Sequence, residues 1–339
     1  MEKYFNKKFT QKELITAGAI TAVSIATLIY GKSYFNGGIC KLSKDLTRKV
    51  VIITGANTGL GKETAFELAR LNSTVILACR DTQKTLPLIS QIKTETHNQN
   101  VEFIKLDLSD MSSVKNFTQE FQSKYNRLDI LINNAGVMAI PERTITKDGF
   151  EAQFATNYIG HFYLTNLLLD LLKASSPSRI INLSSDAHRA GKTLEWGNLH
   201  GEKKYEPLLA YVNSKLANVM FTRELQRRLD LEGAQVKVVS LHPGVVRTEV
   251  LRHLNTFGWR LALTLLHPII YFTTKTPKQG AQTTLYLAQE EHDLLKGGAY
   301  YVDCKACQEK ENPYAFDSEA TSRLWTETQK LLAVQLSQN

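Results

Sequence analysis

The stretch VVIITGANTGLGKETA, Val50 to Ala65, sets a glycine-rich turn between a run of branched apolar residues and a run with helical spacing. No other feature constrains the fold as much. A strand that passes through a tight glycine turn into a helix builds an anion-binding helix N-terminus. Two kinds of phosphate cradle use such a turn. A P-loop needs four residues between its first glycine and a Gly-Lys pair, then Ser or Thr to hold magnesium. Here five residues separate Gly55 from Gly61, and Glu63 follows Lys62. The spacing G-x-x-x-G-x-G also differs from the common dinucleotide pattern G-x-G-x-x-G. The turn alone therefore does not say which phosphate it serves.

The chain beyond it alternates. VVIITG has no polar alternation, which reads as a strand buried on both faces. Leu60 to Leu71 has helical spacing; STVILAC (73–79) is a second strand, followed by a polar helix. VEFIKLDL (101–108), a helix around Val114 to Tyr125, and LDILINNAG (128–136) continue the pattern. Then come a long helix from Ala152 to Leu172, RIINLSS (179–185), a helix from Leu208 to Leu229, QVKVVSLHPG (235–244) and GAYYVD (298–303). Strand and helix in strict alternation predict an α/β fold, a doubly wound parallel sheet of the Rossmann type with about seven strands. No internal repeat or low-complexity tract interrupts it. In that frame Gly55 permits the tight turn, and Gly59 and Gly61 let backbone N–H groups approach a pyrophosphate.

The N-terminal arm is different in kind. LITAGAITAVSIATLIY, Leu14 to Tyr30, carries no charge over 17 residues, near the lower limit for a membrane-spanning helix. Lysines flank it on both sides, with Tyr4, Phe5, Tyr34 and Phe35 as interfacial aromatics. Thirteen residues precede the run, and it is longer than most signal-peptide cores. The reading is an uncleaved anchor in residues 1–36, a linker at 37–47 and a single catalytic domain at 48–339. The net charge of +8 is concentrated ahead of the glycine turn, which favours a membrane surface over nucleic acid as partner.

Four cysteines, Cys40, Cys79, Cys304 and Cys307, do not suggest a disulfide framework. Cys304-x-x-Cys307 lacks a second pair at zinc spacing, and no H-E-x-x-H, EF-hand loop or G-x-S-x-G elbow occurs. No metal is expected. A hydride-transferring site needs an acid at the carbonyl oxygen and a group that tunes it, and Tyr-x-x-x-Lys puts both on one helical face. Four copies exist, beginning at Tyr4, Tyr211, Tyr271 and Tyr301. Tyr4 precedes the anchor, Tyr301 lies in a strand, and Tyr271 sits beside a proline-interrupted apolar run. Tyr211 and Lys215 instead begin a strong helix after the fifth strand, whose end carries Ser184 and Ser185 at the edge where open α/β sheets bind ligands.

Taken in order, Thr54-Gly55…Gly59-x-Gly61, Asn133-Asn134-Ala135-Gly136, Ser185, Tyr211-x-x-x-Lys215 and Pro243-Gly244 resemble the motifs of the short-chain dehydrogenase/reductase family over roughly 290 residues. TGANTGLGKETA, LACRD, TNYIGHF, SKLANVMFTREL and HPGVVRTEV narrow the resemblance to its membrane-anchored, retinol-dehydrogenase-like branch. That resemblance implies an oxidoreductase for a small lipophilic carbonyl or alcohol, retinoids included, using NADP(H). It implies Tyr211 as general acid or base, Lys215 as its electrostatic partner and Ser185 as the donor to the substrate oxygen, with Ser184 ranked second. It also implies that Asn157 holds a proton-relay water near the lysine. Gly55, Asn57, Thr58, Gly59, Leu60, Gly61, Asn134, Ala135, Gly136, Pro243, Gly244, Val246 and Thr248 would line the cofactor, with Tyr211 and Lys215. Asp107 and Leu108 resemble the adenine-contacting pair, and the Asn133–Gly136 run would form the wall beside the adenosine.

An acid at the end of strand two would favour NAD(H); Cys79-Arg80 stands there instead, and arginine suits a 2′-phosphate. Asp81 is expected to turn outward. Ser185 and Tyr211 lie 26 residues apart, and the insert with Trp196 and His200 reads as a loop over the active site. FGWRLALTLLHPIIYF (257–272) reads as a substrate-covering segment able to dip into lipid. The expected location is the endoplasmic reticulum membrane, with a mitochondrial membrane as alternative. The competing function is an accessory nucleotide-binding subunit of a membrane complex; homodimer formation is left open.

Overall fold

The computed structural model describes residues 30–247 and 272–337. Of the predicted anchor only residues 30–36 lie within them; residues 1–29 lie outside, as do Thr248 and all of the 257–272 run except Phe272. Among the described residues no helix is long and apolar enough to cross a membrane.

From β1 (Val50–Thr54) the chain enters α1 (Gly59–Arg70), then β2 (Thr74–Cys79), α2 (Thr82–Thr96), β3 (Val101–Lys105), α3 (Met111–Lys124) and β4 (Ile130–Asn133). After a short helical entry it continues through α4 (Gly160–Ala174), β5 (Ser178–Leu183), α5 (Pro207–Leu231) and β6 (Val236–His242). The turn α6 (Pro277–Gly280) and α7 (Gln282–Gln289) lead to β7 (Tyr300–Val302), β8 (Lys305–Ala306) and α8 (Ser318–Ser337). The sheet order is β3-β2-β1-β4-β5-β6-β7-β8. All neighbours are parallel except β7 and β8. The eighth strand was not expected. It forms because Asp303 and Cys304 both adopt positive φ, 50° and 62°, and reverse the chain in a two-residue turn.

Each residue of β1 is buried, which is why its sequence shows no alternation. Val50 and Ile52 join the core under α3, α4, α5 and α8, with Phe117, Tyr158, Phe162, Phe221 and Trp325. Val51 and Ile53 join the opposite core, with Leu68 of α1, Ile92 of α2 and Leu285 of α7. The strand order reverses direction at β1 and β4, so the loops after these two strands splay apart and open a crevice.

Two stretches differ from expectation. The helix predicted from Ala152 to Leu172 is broken by a π-helical turn, Ala155–Ile159, ahead of α4. The cause is Asn157: its Oδ1 accepts the Val137 N–H (2.8 Å), and its Nδ2 donates to the Val137 carbonyl and the Ser214 hydroxyl, both at 2.9 Å. A wider turn lets one residue bulge to reach these partners. The 37–47 stretch, expected as a linker, lies against α7: the Cys40 N–H donates to Gln282 Oε1 (3.0 Å), the Lys44 N–H to Gln289 Oε1 (3.2 Å), and Leu46 is buried.

Candidate active site

A cleft of about 470 Å³ runs along the carboxyl ends of β1, β2, β4, β5 and β6. The glycine turn builds one wall. Gly55 has φ +64° and donates its N–H to the Ala78 carbonyl (2.8 Å). At Gly61 a Cβ would lie 2.5 Å from both Asn134 Nδ2 and the Gly55 carbonyl. Absence of that carbon lets α1 pack directly on the loop after β4. Helices α2 and α3 are capped by the side chains of Asp81 and Asp110, but no side chain caps the amino end of α1. Its first N–H groups are left for an anion in the cleft, a fit to a pyrophosphate.

A buried network braces this wall. The Thr54 hydroxyl accepts the N–H groups of Asn134 and Ala135, each at 2.9 Å, and meets His161 Nε2 at 2.8 Å. His161 Nδ1 faces the Asn157 carbonyl at 3.1 Å, so Nδ1 carries the proton and Nε2 accepts from Thr54. Full burial pushes the imidazole down to about 3, and it stays neutral. Neither Thr54 nor His161 was assigned a role from sequence, since only the fold brings them together. Asn133, expected beside the adenosine, turns inward instead: its amide donates to Thr165 Oγ1 (3.0 Å) and Asn182 Oδ1 (2.8 Å), stitching β4 to α4 and β5. Asn134, Ala135 and Gly136 do line the cleft.

At the outer end lie Asn57, Thr58, Gly59, Leu60, Arg80, Asp107 and Leu108, as expected from sequence. Arg80 is 70% exposed and stands 4.0 Å from Asp107. Asp81, expected to turn outward, lines the cleft beside Arg80 because its carboxylate accepts the Lys84 N–H (3.0 Å) at the start of α2. That cap also brings Lys84, a cation the sequence reading missed, to the cleft.

The inner end holds Ser185, Tyr211, Lys215, Pro243, Gly244 and Val246. Between the two serines the geometry is decisive. Ser184 is buried and donates to the Lys215 carbonyl (2.7 Å), whereas Ser185 lines the cleft beside Tyr211. Burial raises the phenol above its ordinary value, and the nearby Ser185 hydroxyl works against that. Lys215 Nζ lies 5.7 Å from the Tyr211 ring centre, and desolvation pulls its ammonium down to about 8. Asn157 is behind this pair. A Cβ on Gly136 would be 3.4 Å from Asn157 Oδ1 and 3.5 Å from Lys215 Nζ, so one small residue separates them. The Asn157 amide bonds Val137 and Ser214, while its main-chain carbonyl faces His161 Nδ1.

The insert does not form a wall of this cleft. Trp196 donates to the Tyr314 hydroxyl (3.2 Å) under the Arg323 guanidinium, and His200 packs on Phe150 and Phe154. Among the described residues no three His, Cys, Asp or Glu side chains gather as a metal site, and all four cysteines are free thiols.

Residues 49–258 match the short chain dehydrogenase family. The chain belongs to that family. Its relatives include human retinol dehydrogenase 13, 46% identical over 323 residues covering 95% of this chain and 96% of the relative. Human retinol dehydrogenase 12 is 43% identical, covering 95% and 99% of the two chains. An uncharacterized protein from Mycobacterium paratuberculosis has the same fold, with a TM-score of 0.68 and 35% identity over 87% of this chain and 97% of its own. A short chain dehydrogenase from Escherichia coli CFT073, solved with NADPH, is alike in fold at a TM-score of 0.59 and 24% identity, over 77% of this chain and 98% of that one. This short chain dehydrogenase is thus an oxidoreductase acting on CH–OH groups, with a fold suited to a nicotinamide cofactor.

Proposed function

We propose that the protein interconverts a lipophilic carbonyl and its alcohol with NADP(H), Tyr211 exchanging the proton at the substrate oxygen. The observation that carries this reading is that Ser185, Tyr211 and Lys215 line one end of the cleft that begins at the glycine turn, with Lys215 Nζ 5.7 Å from the Tyr211 ring centre. Ser185 would hold the substrate oxygen beside the phenol, and Lys215 would favour the phenolate by its charge. Asn157 would hold the relay water on its carbonyl, near Lys215. When bound, an oxidised nicotinamide supplies the hydride acceptor and a positive charge next to Tyr211. Gly55, Asn57, Thr58, Gly59, Leu60 and Gly61 would hold the pyrophosphate, Asp107 and Leu108 the adenine, and Pro243, Gly244, Val246 and Thr248 the nicotinamide end. Arg80, with Lys84, would hold a 2′-phosphate.

The apolar character of the substrate is supported by the names of the relatives, retinol dehydrogenases, and by the membrane anchor read in residues 1–36. Residues 30–36 are helical and pack where the 257–272 run ends: Lys32 donates to the carbonyls of Phe272 and Thr274, each at 3.1 Å, and the Phe35 and Phe272 rings meet edge to face at 5.9 Å. Both apolar runs therefore join the domain at one patch, which supports a shared membrane-facing side.

The test is NADPH oxidation by the purified full chain against retinal, medium-chain aldehydes, steroids and quinones. Tyr211→Phe should lower kcat by about 10²–10⁴-fold with NADPH affinity unchanged, because a positioned proton donor contributes on that scale and does not hold the cofactor. Absence of turnover on every carbonyl, or a Phe variant with wild-type kcat, would overturn the reading.

A further inference from the structure

The single peptide group between Ser185 and Asp186 is gripped at both ends by histidine rings. On one side its carbonyl oxygen, that of Ser185, meets His188 Nδ1 at 2.6 Å and also accepts the His188 N–H at 3.0 Å. On the other side its N–H, that of Asp186, donates to His242 Nδ1 at 3.2 Å. The partners fix both tautomers. A carbonyl only accepts, so His188 Nδ1 carries a proton; its Nε2 accepts the Asn312 N–H at 3.1 Å and carries none. His242 Nδ1 accepts from Asp186, so its proton is on Nε2. The two rings are therefore neutral and of opposite tautomer.

We propose that His188 and His242 are positioning residues, which fix the Ser185–Asp186 peptide and through it the direction of the Ser185 hydroxyl toward Tyr211. The proposal rests on the function assigned to Ser185 above. The Ser185 backbone is extended (φ −157°, ψ 152°), and its hydroxyl accepts the Ala187 N–H at 3.2 Å, so a rotation of the following peptide withdraws the donor that holds that oxygen in the cleft beside Tyr211. The grip is itself anchored. Asn312 is buried and donates its side-chain amide to the carbonyls of His188 and Gly191, and the Tyr300 ring meets the His188 ring edge to face at 4.8 Å. Burial pushes His188 down from its ordinary value and His242 to about 4, so both rings keep the neutral forms the grip requires near neutrality. His242 comes from the end of β6 and lines the cleft, while His188 comes from the turn after β5 and is fully buried. Thus β5, β6 and the segment before α8 all converge on one peptide.

Two measurements test this. In the wild-type full chain with ¹⁵N-labelled histidine, ring-nitrogen NMR should show a protonated Nδ1 for His188 and a protonated Nε2 for His242; the same tautomer in both would overturn the grip without any assay of activity. In kinetics with NADPH and retinal, His188→Leu should lower kcat by about 10- to 100-fold, the scale of a misplaced reacting group, with NADPH affinity unchanged. His188→Asn, whose amide replaces the Nδ1–H, should recover most of it. In a Ser185→Ala background the further loss from His188→Leu should fall to about twofold or less, since a residue acting through Ser185 has nothing left to position. A full additional loss in that background would overturn the proposal. Ser185→Ala with wild-type kcat would instead sink the role given to Ser185, and the tautomers would still decide whether the grip exists.

Discussion

The Lys215 ammonium donates a 3.0 Å hydrogen bond to the carbonyl of Leu183, the last residue of β5. That bond ties the helix bearing Tyr211 to the strand that ends in Ser185. Ser184 returns the tie by donating to the Lys215 carbonyl, and Asn218 adds a 3.2 Å bond to the same Leu183 oxygen. The side chain is buried, and its charge has little water to stabilise it. Stability follows the sign of the shift. Between about 8 and 10.5 the unfolded chain keeps a proton the folded chain has lost, so stability rises with pH there, and at pH 7 the buried charge costs the full difference. That cost is on the order of 3 kcal/mol. Lys215→Met should therefore raise the urea midpoint of the cofactor-free protein at pH 7 while abolishing most turnover. A lower midpoint would show that the lysine is held for stability.

Arg80 and Lys84 approach the cleft from the end of β2 and the start of α2. Arg80→Ala should weaken NADPH far more than NADH, because a charge-assisted bond to a 2′-phosphate is lost on only one of them. Lys84→Ala should have the same sign and a smaller effect, since an ammonium is a point charge without the paired donors of a guanidinium. The check is the ratio of the two dissociation constants in each variant, by nucleotide fluorescence. Equal weakening of both cofactors by Arg80→Ala would place the selectivity elsewhere.

Burial holds four histidines, His161, His188, His200 and His242, below their ordinary value. A depressed histidine contributes stability that is present above about 6.5 and is lost as pH falls toward the folded value, about 4 for His242 and about 3 for His161. Each costs about 1.4 kcal/mol per pH unit inside its window. Glu151 and Glu311 oppose this, because burial raises them and the folded chain takes up their protons first. The four rings outnumber these two carboxyls, so stability should fall as pH drops below about 6.5. Urea unfolding at pH 7, 6 and 5 checks this; a flat profile would mean that the rings charge freely in the folded state.

The alternation of strand and helix was readable because β1, β2, β4, β5 and β6 are largely buried runs and the helices carry regular apolar spacing. Tyr211 was singled out among four Tyr-x-x-x-Lys copies because its helix follows the fifth strand, and that helix does bring Tyr211 and Lys215 to the cleft. What could not be read depends on contacts between distant residues. The π turn at Asn157 exists because Val137 and Ser214 receive its amide. His188 and His242 meet the same peptide only once β5 and β6 pair. Lys84 reaches the cleft because Asp81 caps α2, a choice local sequence left open. Trp196 and His200 were placed over the active site because an insert before the catalytic helix suggests a cover, yet Tyr314, Arg323, Phe150 and Phe154 hold them elsewhere.

Gly61 is the position at which the cofactor wall tolerates no side chain. A methyl there would meet Asn134 Nδ2 and the Gly55 carbonyl at 2.5 Å and Ala56 Cα at 2.9 Å. Two of these are backbone atoms, and the third belongs to an amide that donates to the Thr54 carbonyl at 2.7 Å. None can yield as the tip of a flexible side chain would. Gly61→Ala must push α1 away from the loops after β1 and β4, which costs about 1–3 kcal/mol as overpacking. The same displacement moves the uncapped N–H groups of α1 away from the pyrophosphate they would hold. The variant should melt at a lower temperature without cofactor and gain less than wild type when NADPH is added, because linkage stabilisation scales with the logarithm of ligand over dissociation constant. A variant with a wild-type melting point and a wild-type NADPH shift would show that α1 does not pack on that loop as closely as the geometry requires.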